Sequence, residues 1–197
     1  MEEKLRTFIA LELGQKQVQT LATYTQQLQN KFPSGFRWVK PGHMHLTLKF
    51  FGEISPKQLE TVSNVLAQVC LNIKPFNLRV EGYGAFPNWR NPRTIWAGLT
   101  PVQEVQSLHH QIDEALAQVG FQPEGRRFSP HLTLCRVSDY VDQQLVGELE
   151  KAMQTSPIPP MDPWEVKEVV FIKSRLQPGG PVYTPLAKFE FNLKTKV

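Results

Sequence analysis

The tetrapeptide His45-Leu46-Thr47-Leu48 occurs again as His131-Leu132-Thr133-Leu134, 131 − 45 = 86 residues later in the chain. At this composition chance supplies on the order of 0.05 copies of a His-apolar-Thr-apolar run, so a pair calls for a physical reason. On a strand, successive side chains point to opposite faces. The two Leu of each copy then enter a core, while His and Thr emerge together on the other face, about 6.5–7 Å apart. Two such strands facing one groove present two imidazoles and two hydroxyls. That set suits a single phosphate: the hydroxyls donate to its oxygens, and the imidazoles flank the bonds that form and break. Histidine titrates near neutrality, so a neutral ring can take a proton from water while a protonated ring gives one to a leaving oxygen.

Other chemistries find less support. No HExxH occurs, and neither motif has His, Asp or Glu in the close spacing a metal site uses, so no metal and no cofactor are expected. Ser129 lacks a GxSxG elbow. Cys70 and Cys135 show no CxxC spacing and cannot build a disulfide framework, so both read as reduced thiols. Cys135 follows the second motif on the His/Thr parity and could line the groove, with nothing to mark it as a nucleophile. Arg136 falls on the Leu parity, which points it away from the phosphate unless the strand bends. His43 follows Pro41-Gly42 and reads as a solvated neighbour, and His109 and His110 read as surface or flanking residues of a helix. Phe50, Phe51 and Trp96 read as core.

The elements that must position the motifs follow from periodicity and turn chemistry. Strands are expected at Leu5–Leu11, Phe36–Val39, His45–Phe51, Phe76–Val80, Thr94–Leu99, His131–Val137, Trp164–Arg175 and Tyr183–Leu193. Helices are expected over Gln15–Gln29, from Pro56 to Val69, from Pro101 to Val119 and over Val141–Met153. Ser55-Pro56-Lys57-Gln58 reads as a capping box with Pro at the first helical position. Thr100-Pro101-Val102-Gln103 repeats that signal. No regular βαβ rhythm, GxGxxG or P-loop is present, so an α+β architecture with mainly antiparallel sheet fits better than a doubly wound one.

With the motifs placed, the chain resembles the 2H phosphoesterases, and within them the LigT-like RNA 2′,3′-cyclic phosphodiesterases formerly called bacterial 2′-5′ RNA ligases. The resemblance covers most of the chain. It runs through Phe8-Ile9-Ala10-Leu11, then Arg37-Trp38-Val39 leading to His45 through Glu53. It continues with Phe128-Ser129-Pro130-His131-Leu132-Thr133-Leu134 and Arg136, and ends with Ser174-Arg175-Leu176 followed by Pro178-Gly179-Gly180 and Tyr183. Ser129 stands where many members carry a basic residue, which bears on substrate contacts. The resemblance implies one bilobal domain over residues 1–197, with two pseudo-symmetric, mainly antiparallel sheets flanking a central groove and helices outside. It implies hydrolysis of a terminal 2′,3′-cyclic phosphate to a 2′-phosphate without metal. His45 is then the proton donor, His131 the proton acceptor, and Thr47 and Thr133 the phosphate-binding pair. The alternatives are the reverse reaction, 2′-5′ RNA ligation, and a non-catalytic module that binds RNA ends.

An RNA partner asks for more than a phosphate clamp. Trp89, Arg90 and Arg93 lie in a turn-rich loop that could stack a base and hold backbone phosphates, or be ordinary solvated loop. Arg127 precedes the second motif and joins them as a candidate contact. The balance of 22 Lys plus Arg against 18 Asp plus Glu leaves a net charge of +4, which permits a polyanion without demanding one. At 41% hydrophobic and 20% charged, the 197-residue chain is neither disordered nor fibrous. No apolar run reaches the roughly 18 residues of a spanning helix, and the start, Met1-Glu2-Glu3-Lys4, is acidic where a secretory leader is basic. A cytoplasmic monomer with no membrane contact is the expectation.

Overall fold

The computed structural model describes residues 3–178 and 180–192. They form nine strands and four helices: β1 Leu5–Glu12, α1 Gln15–Lys31, β2 Phe36–Trp38, β3 His45–Ile54, α2 Pro56–Cys70, β4 Phe76–Phe86, β5 Thr94–Thr100, α3 Val102–Gln118, β6 Leu132–Val137, α4 Gln143–Thr155, β7 Trp164–Val166, β8 Glu168–Gln177 and β9 Gly180–Glu190. One sheet has the order β3-β1-β8-β9 and the other β2-β6-β5-β4-β7, with every pairing between neighbours antiparallel. The α+β expectation holds.

Local chemistry accounts for the element boundaries. Ser55 caps α2 by accepting from the Gln58 backbone N–H, and the Gln58 side chain returns the bond to the Ser55 N–H. The matching signal before α3 is not a side-chain cap. Pro101 itself occupies the capping position and makes no side-chain bond there. The apolar stripe of α3, Val105, Leu108, Ile112 and Leu116, is buried as its spacing requires. The expected strand Trp164–Arg175 is divided at Lys167. Its first three residues pair with β4 in one sheet, and the rest pairs with β1 and β9 in the other. The expected last strand ends earlier, at Glu190, and Leu193 lies outside the described residues.

Two apolar clusters hold the site between them. The larger runs through both halves and includes Leu46, Leu48, Leu132 and Leu134, the Leu residues of the two motifs. The smaller, Phe8, Ala10, Val170 and Ile172 with Tyr183 against it, lies on one sheet beside His45.

Candidate active site

His45 opens β3 and Thr47 follows on the same face. Both are half-buried, while Leu46 and Leu48 are fully covered. The His45 ring stacks on Phe8 at 4.8 Å between centroids and meets Tyr183 edge-on at 5.3 Å. It also hydrogen-bonds to the His43 backbone. Burial pushes the His45 imidazole down to about 4, the backbone bond opposes the drop, and the charge of His43 adds to it.

His131 stands at the entry to β6 with Thr133 on its face. The same logic fixes it. Its Nδ1 lies 2.8 Å from the carbonyl oxygen of Ser129, two residues back. A carbonyl only accepts, so Nδ1 carries the hydrogen and Nε2 keeps its lone pair for chemistry. Phe86 meets this ring at 4.9 Å and Trp96 at 6.5 Å. Gly84 leaves room for the wall, since a Cβ there would lie 2.4 Å from the Trp96 ring. Burial lowers the His131 pKa, the Ser129 bond opposes this, and the Arg136 charge lowers it further.

The two motif strands also break in the same place. In β3, Ile9 pairs with Lys49 but Ala10 pairs with Thr47, leaving Leu48 as an extra residue. In β6, Ile95 pairs with Cys135 but Trp96 pairs with Thr133, leaving Leu134 extra. A bulge resets the alternation of side chains. Lys49 and Cys135 therefore turn into the interior, 5% and 0% exposed, and Phe50 and Arg136 turn out onto the His/Thr faces. This corrects the sequence expectations for Cys135, Phe50 and Trp96, and it supplies the bend on which the reading of Arg136 depended. Cys135 is in the core and not on the groove, and burial pushes its thiol up to about 12. Arg136 faces the site. Phe50 is 56% exposed and leans on Phe8 at 5.4 Å, whereas Phe51 packs into the core against Phe121 and Phe171 and Trp96 lines the His131 wall.

Strands β3 and β6 approach each other although they belong to different sheets. Arg136 of β6 acts electrostatically on His131 and also on Tyr183 of β9, the ring against His45. Tyr183 is raised by burial, with Arg136 and then Arg6 opposing.

A buried ion pair ties the halves together behind this face. Lys49, on the His45 strand, contacts Asp113 of α3 and donates to the Gln122 carbonyl at 3.0 Å. Asp113 accepts from the Glu124 backbone N–H at 3.0 Å, and hydrogen bonding to Lys49 and Glu124 outweighs its burial to hold its pKa low. One turn earlier, His109 stacks flat on Phe128 at 3.9 Å. The segment leading to Ser129 and His131 is thus pinned at three points. His109 is buried, contrary to the surface reading, while His110 is exposed with its Nε2 3.3 Å from a Glu114 carboxylate oxygen. His43 is half-buried against Tyr183 at 4.9 Å, nearer the site than a solvated loop residue would be.

The residues named for RNA contact separate into two groups. Trp89 is turned onto Tyr83 at 6.3 Å and packs on the main core, so its indole is engaged by the protein, away from His131. The strand β4 puts Tyr83 and Phe86 on opposite parities, and it is Phe86 that reaches His131. Arg90, Arg93 and Arg127 are exposed. The backbone of Arg93 bonds to Phe86 and Val137, which holds that end of the loop beside the Arg136 strand. Among the described residues no group of three or more His, Cys, Asp or Glu could hold a metal ion. No helix there is long and apolar enough to cross a membrane.

Comparison with known proteins points the same way as the geometry. A sequence model of the family described as LigT like Phosphoesterase matches the chain twice, over residues 12–96 and 99–183. A Methanothermobacter thermautotrophicus protein named RNA 2′,3′-cyclic phosphodiesterase is 31% identical over 189 residues, covering 94% of this chain and 98% of its own. An Archaeoglobus fulgidus protein of the same name is 30% identical, covering 94% of this chain and 100% of its own. The crystal structure of Escherichia coli LigT with 3′-AMP superposes with a TM-score of 0.73 at 25% identity, over 96% of this chain and 99% of that one. A Thermus thermophilus protein reaches a TM-score of 0.78 at 25% identity, over 95% and 98%. Each motif falls inside its own match to the family, so the doubled tetrapeptide, the doubled bulge and the doubled match describe one repeat: the chain belongs to the LigT-like phosphoesterase family.

Proposed function

We propose that this chain is a phosphodiesterase that hydrolyses the 2′,3′-cyclic phosphate at an RNA end to a 2′-phosphate, without metal. The observation that carries the reading is the matched pair of His-Thr faces on β3 and β6, each imidazole fixed by a backbone bond two residues upstream. In the reaction, a water oxygen bonds to phosphorus in line with the 3′ oxygen, and the bond from phosphorus to that oxygen breaks. His131 takes the water proton on Nε2. His45 gives a proton to the departing 3′ oxygen. The Thr47 and Thr133 hydroxyls donate to the non-bridging oxygens, whose charge grows in the transition state.

Electrostatics supports these roles. Burial, with the Arg136 cation adding to it, lowers the His131 pKa and favours the neutral ring that a base must be. Burial lowers the His45 pKa to about 4, and an anionic phosphodiester beside the ring raises it toward the protonated form that a donor needs. Exposed Phe50, leaning on Phe8, offers a ledge on which the terminal base stacks. Residues 1–197 act as one bilobal domain and a cytoplasmic monomer.

An oligonucleotide ending in a 2′,3′-cyclic phosphate, incubated with the protein in excess chelator, tests this reading. The expected product carries a 2′-phosphate. Binding without turnover would leave a non-catalytic end-binding module, and loss of turnover in chelator would replace the two-histidine scheme with a metal. A 3′-phosphate product would mean that the other ester bond is broken. Water outcompetes an RNA 5′-hydroxyl by concentration, so hydrolysis exceeds 2′-5′ joining.

A further inference from the structure

We propose that Arg37 and Arg136 form a second anion subsite, which holds the neighbouring phosphate of an RNA strand and makes the protein favour an oligonucleotide end over a mononucleotide 2′,3′-cyclic phosphate. The proposal rests on the reading above and names the substrate class within it.

Arg37 of β2 and Arg136 of β6 are direct partners in the antiparallel register, between the pairs Phe36–Val137 and Trp38–Cys135. Those flanking side chains pack into or against the main core, so both arginines project from the opposite face, and both are exposed. It is the His131–Thr133 face, because Arg136 also pairs with Thr94, two residues from Trp96 in β5, and Trp96 lies against His131. Like charges directly opposite each other on neighbouring strands are destabilising. Among the described residues neither guanidinium has a carboxylate at ion-pair distance. An anion between them removes the repulsion, and a phosphate does so with the bidentate geometry that suits guanidinium.

Position along the strand selects which phosphate. Arg136 lies three residues beyond Thr133, about 7–10 Å along a strand shortened by the bulge. The reacting phosphate belongs to Thr133 and His131, so the arginine pair is one step further along a polyanion. At the position equivalent to Arg136 after the first motif stands Phe50. The two motif strands thus differ at this position, a ring on β3 and a cation on β6, while the charge of Arg6 also reaches Tyr183. A mononucleotide cyclic phosphate has no second phosphate to offer the pair.

The test compares kcat/KM for a cyclic-phosphate-ended oligonucleotide with that for a mononucleotide 2′,3′-cyclic phosphate, in wild type and Arg37→Met. A second measurement follows binding of the same oligonucleotide ending in an unreactive 2′-phosphate, as a function of salt. We expect wild type to favour the oligonucleotide and Arg37→Met to cut that preference about tenfold, the scale of one charged hydrogen bond. The slope of log affinity against log salt should fall by about 0.7, one single-strand phosphate contact. Arg37→Lys should restore the salt slope, because it keeps the charge, and only part of the preference. An unchanged preference together with an unchanged slope would overturn the subsite and leave a solvated pair of arginines. If neither substrate is turned over, the catalytic reading has failed, while the salt slope still decides the subsite.

Discussion

Burial among rings lowers the pKa of both histidines, His45 to about 4. The sign of the consequence for stability is fixed. Between about 4 and the ordinary 6.5, the unfolded chain binds a proton at position 45 that the folded chain refuses, so stability falls as pH falls through that window. Melting temperature in the absence of ligand should therefore decline from pH 6.5 to 4, and His45→Gln should show a shallower decline. Inorganic phosphate should flatten the wild-type curve by restoring the ring's affinity for its proton. Equal slopes for variant and wild type would remove the burial account of His45. At this scale the sequence was informative where it repeated itself: His45, Thr47, His131 and Thr133 were all named from the doubled tetrapeptide. It misplaced Phe50 and left Arg136 dependent on a bend, because strict alternation assigns both to the other face and only a bulge corrects it.

Elements came through in proportion to how local their causes are. The box that opens α2 needs only Ser55 and Gln58, and both bonds form as written. The division of the expected strand Trp164–Arg175 at Lys167 depends on which neighbour each part finds, β4 or β1, and no local pattern carries that information. The same holds for Lys49. Its sequence context is a strand after a motif, and its partner Asp113 is on α3, 64 residues away. Side chains of the pair are 6% and 13% exposed, so breaking it strands a buried charge. Lys49→Met should cost about 3–5 kcal/mol in urea unfolding, the usual penalty for removing one partner of such a pair. Because Lys49 also holds the Gln122 carbonyl on the segment leading to His131, kcat of the folded variant should fall as well, while Lys49→Arg should recover part of both. Loss of stability with kcat unchanged would confine the ion pair to a structural role.

The described residues build two sheets that cannot be cut apart in sequence. β2 leaves the first half to pair with β6 in the second, and β8 returns from the end of the chain to pair with β1. Each sheet is therefore completed by the other half's strands, and the cleft is fixed by the same crossings that build the sheets. The resemblance to a family supplied the two-lobed arrangement in advance, whereas composition and periodicity supplied only α+β. Nothing local could announce the crossings, which are long-range pairings. The claim that depends on this arrangement is that two imidazoles from different sheets act together on one phosphorus. It is tested most directly by the pH dependence of kcat/KM for a cyclic-phosphate-ended oligonucleotide, in wild type and in the His45→Ala and His131→Ala variants. The account predicts a bell for wild type with its optimum on the acid side of 6.5, since both free-enzyme pKa values are lowered, and a kcat bell displaced to higher pH by the bound anion. Each single variant should lose roughly 10²–10⁴-fold in rate and keep only one limb of the bell. A wild-type profile flat from about pH 5 to 9, or a bell that survives unchanged in either variant, would contradict it.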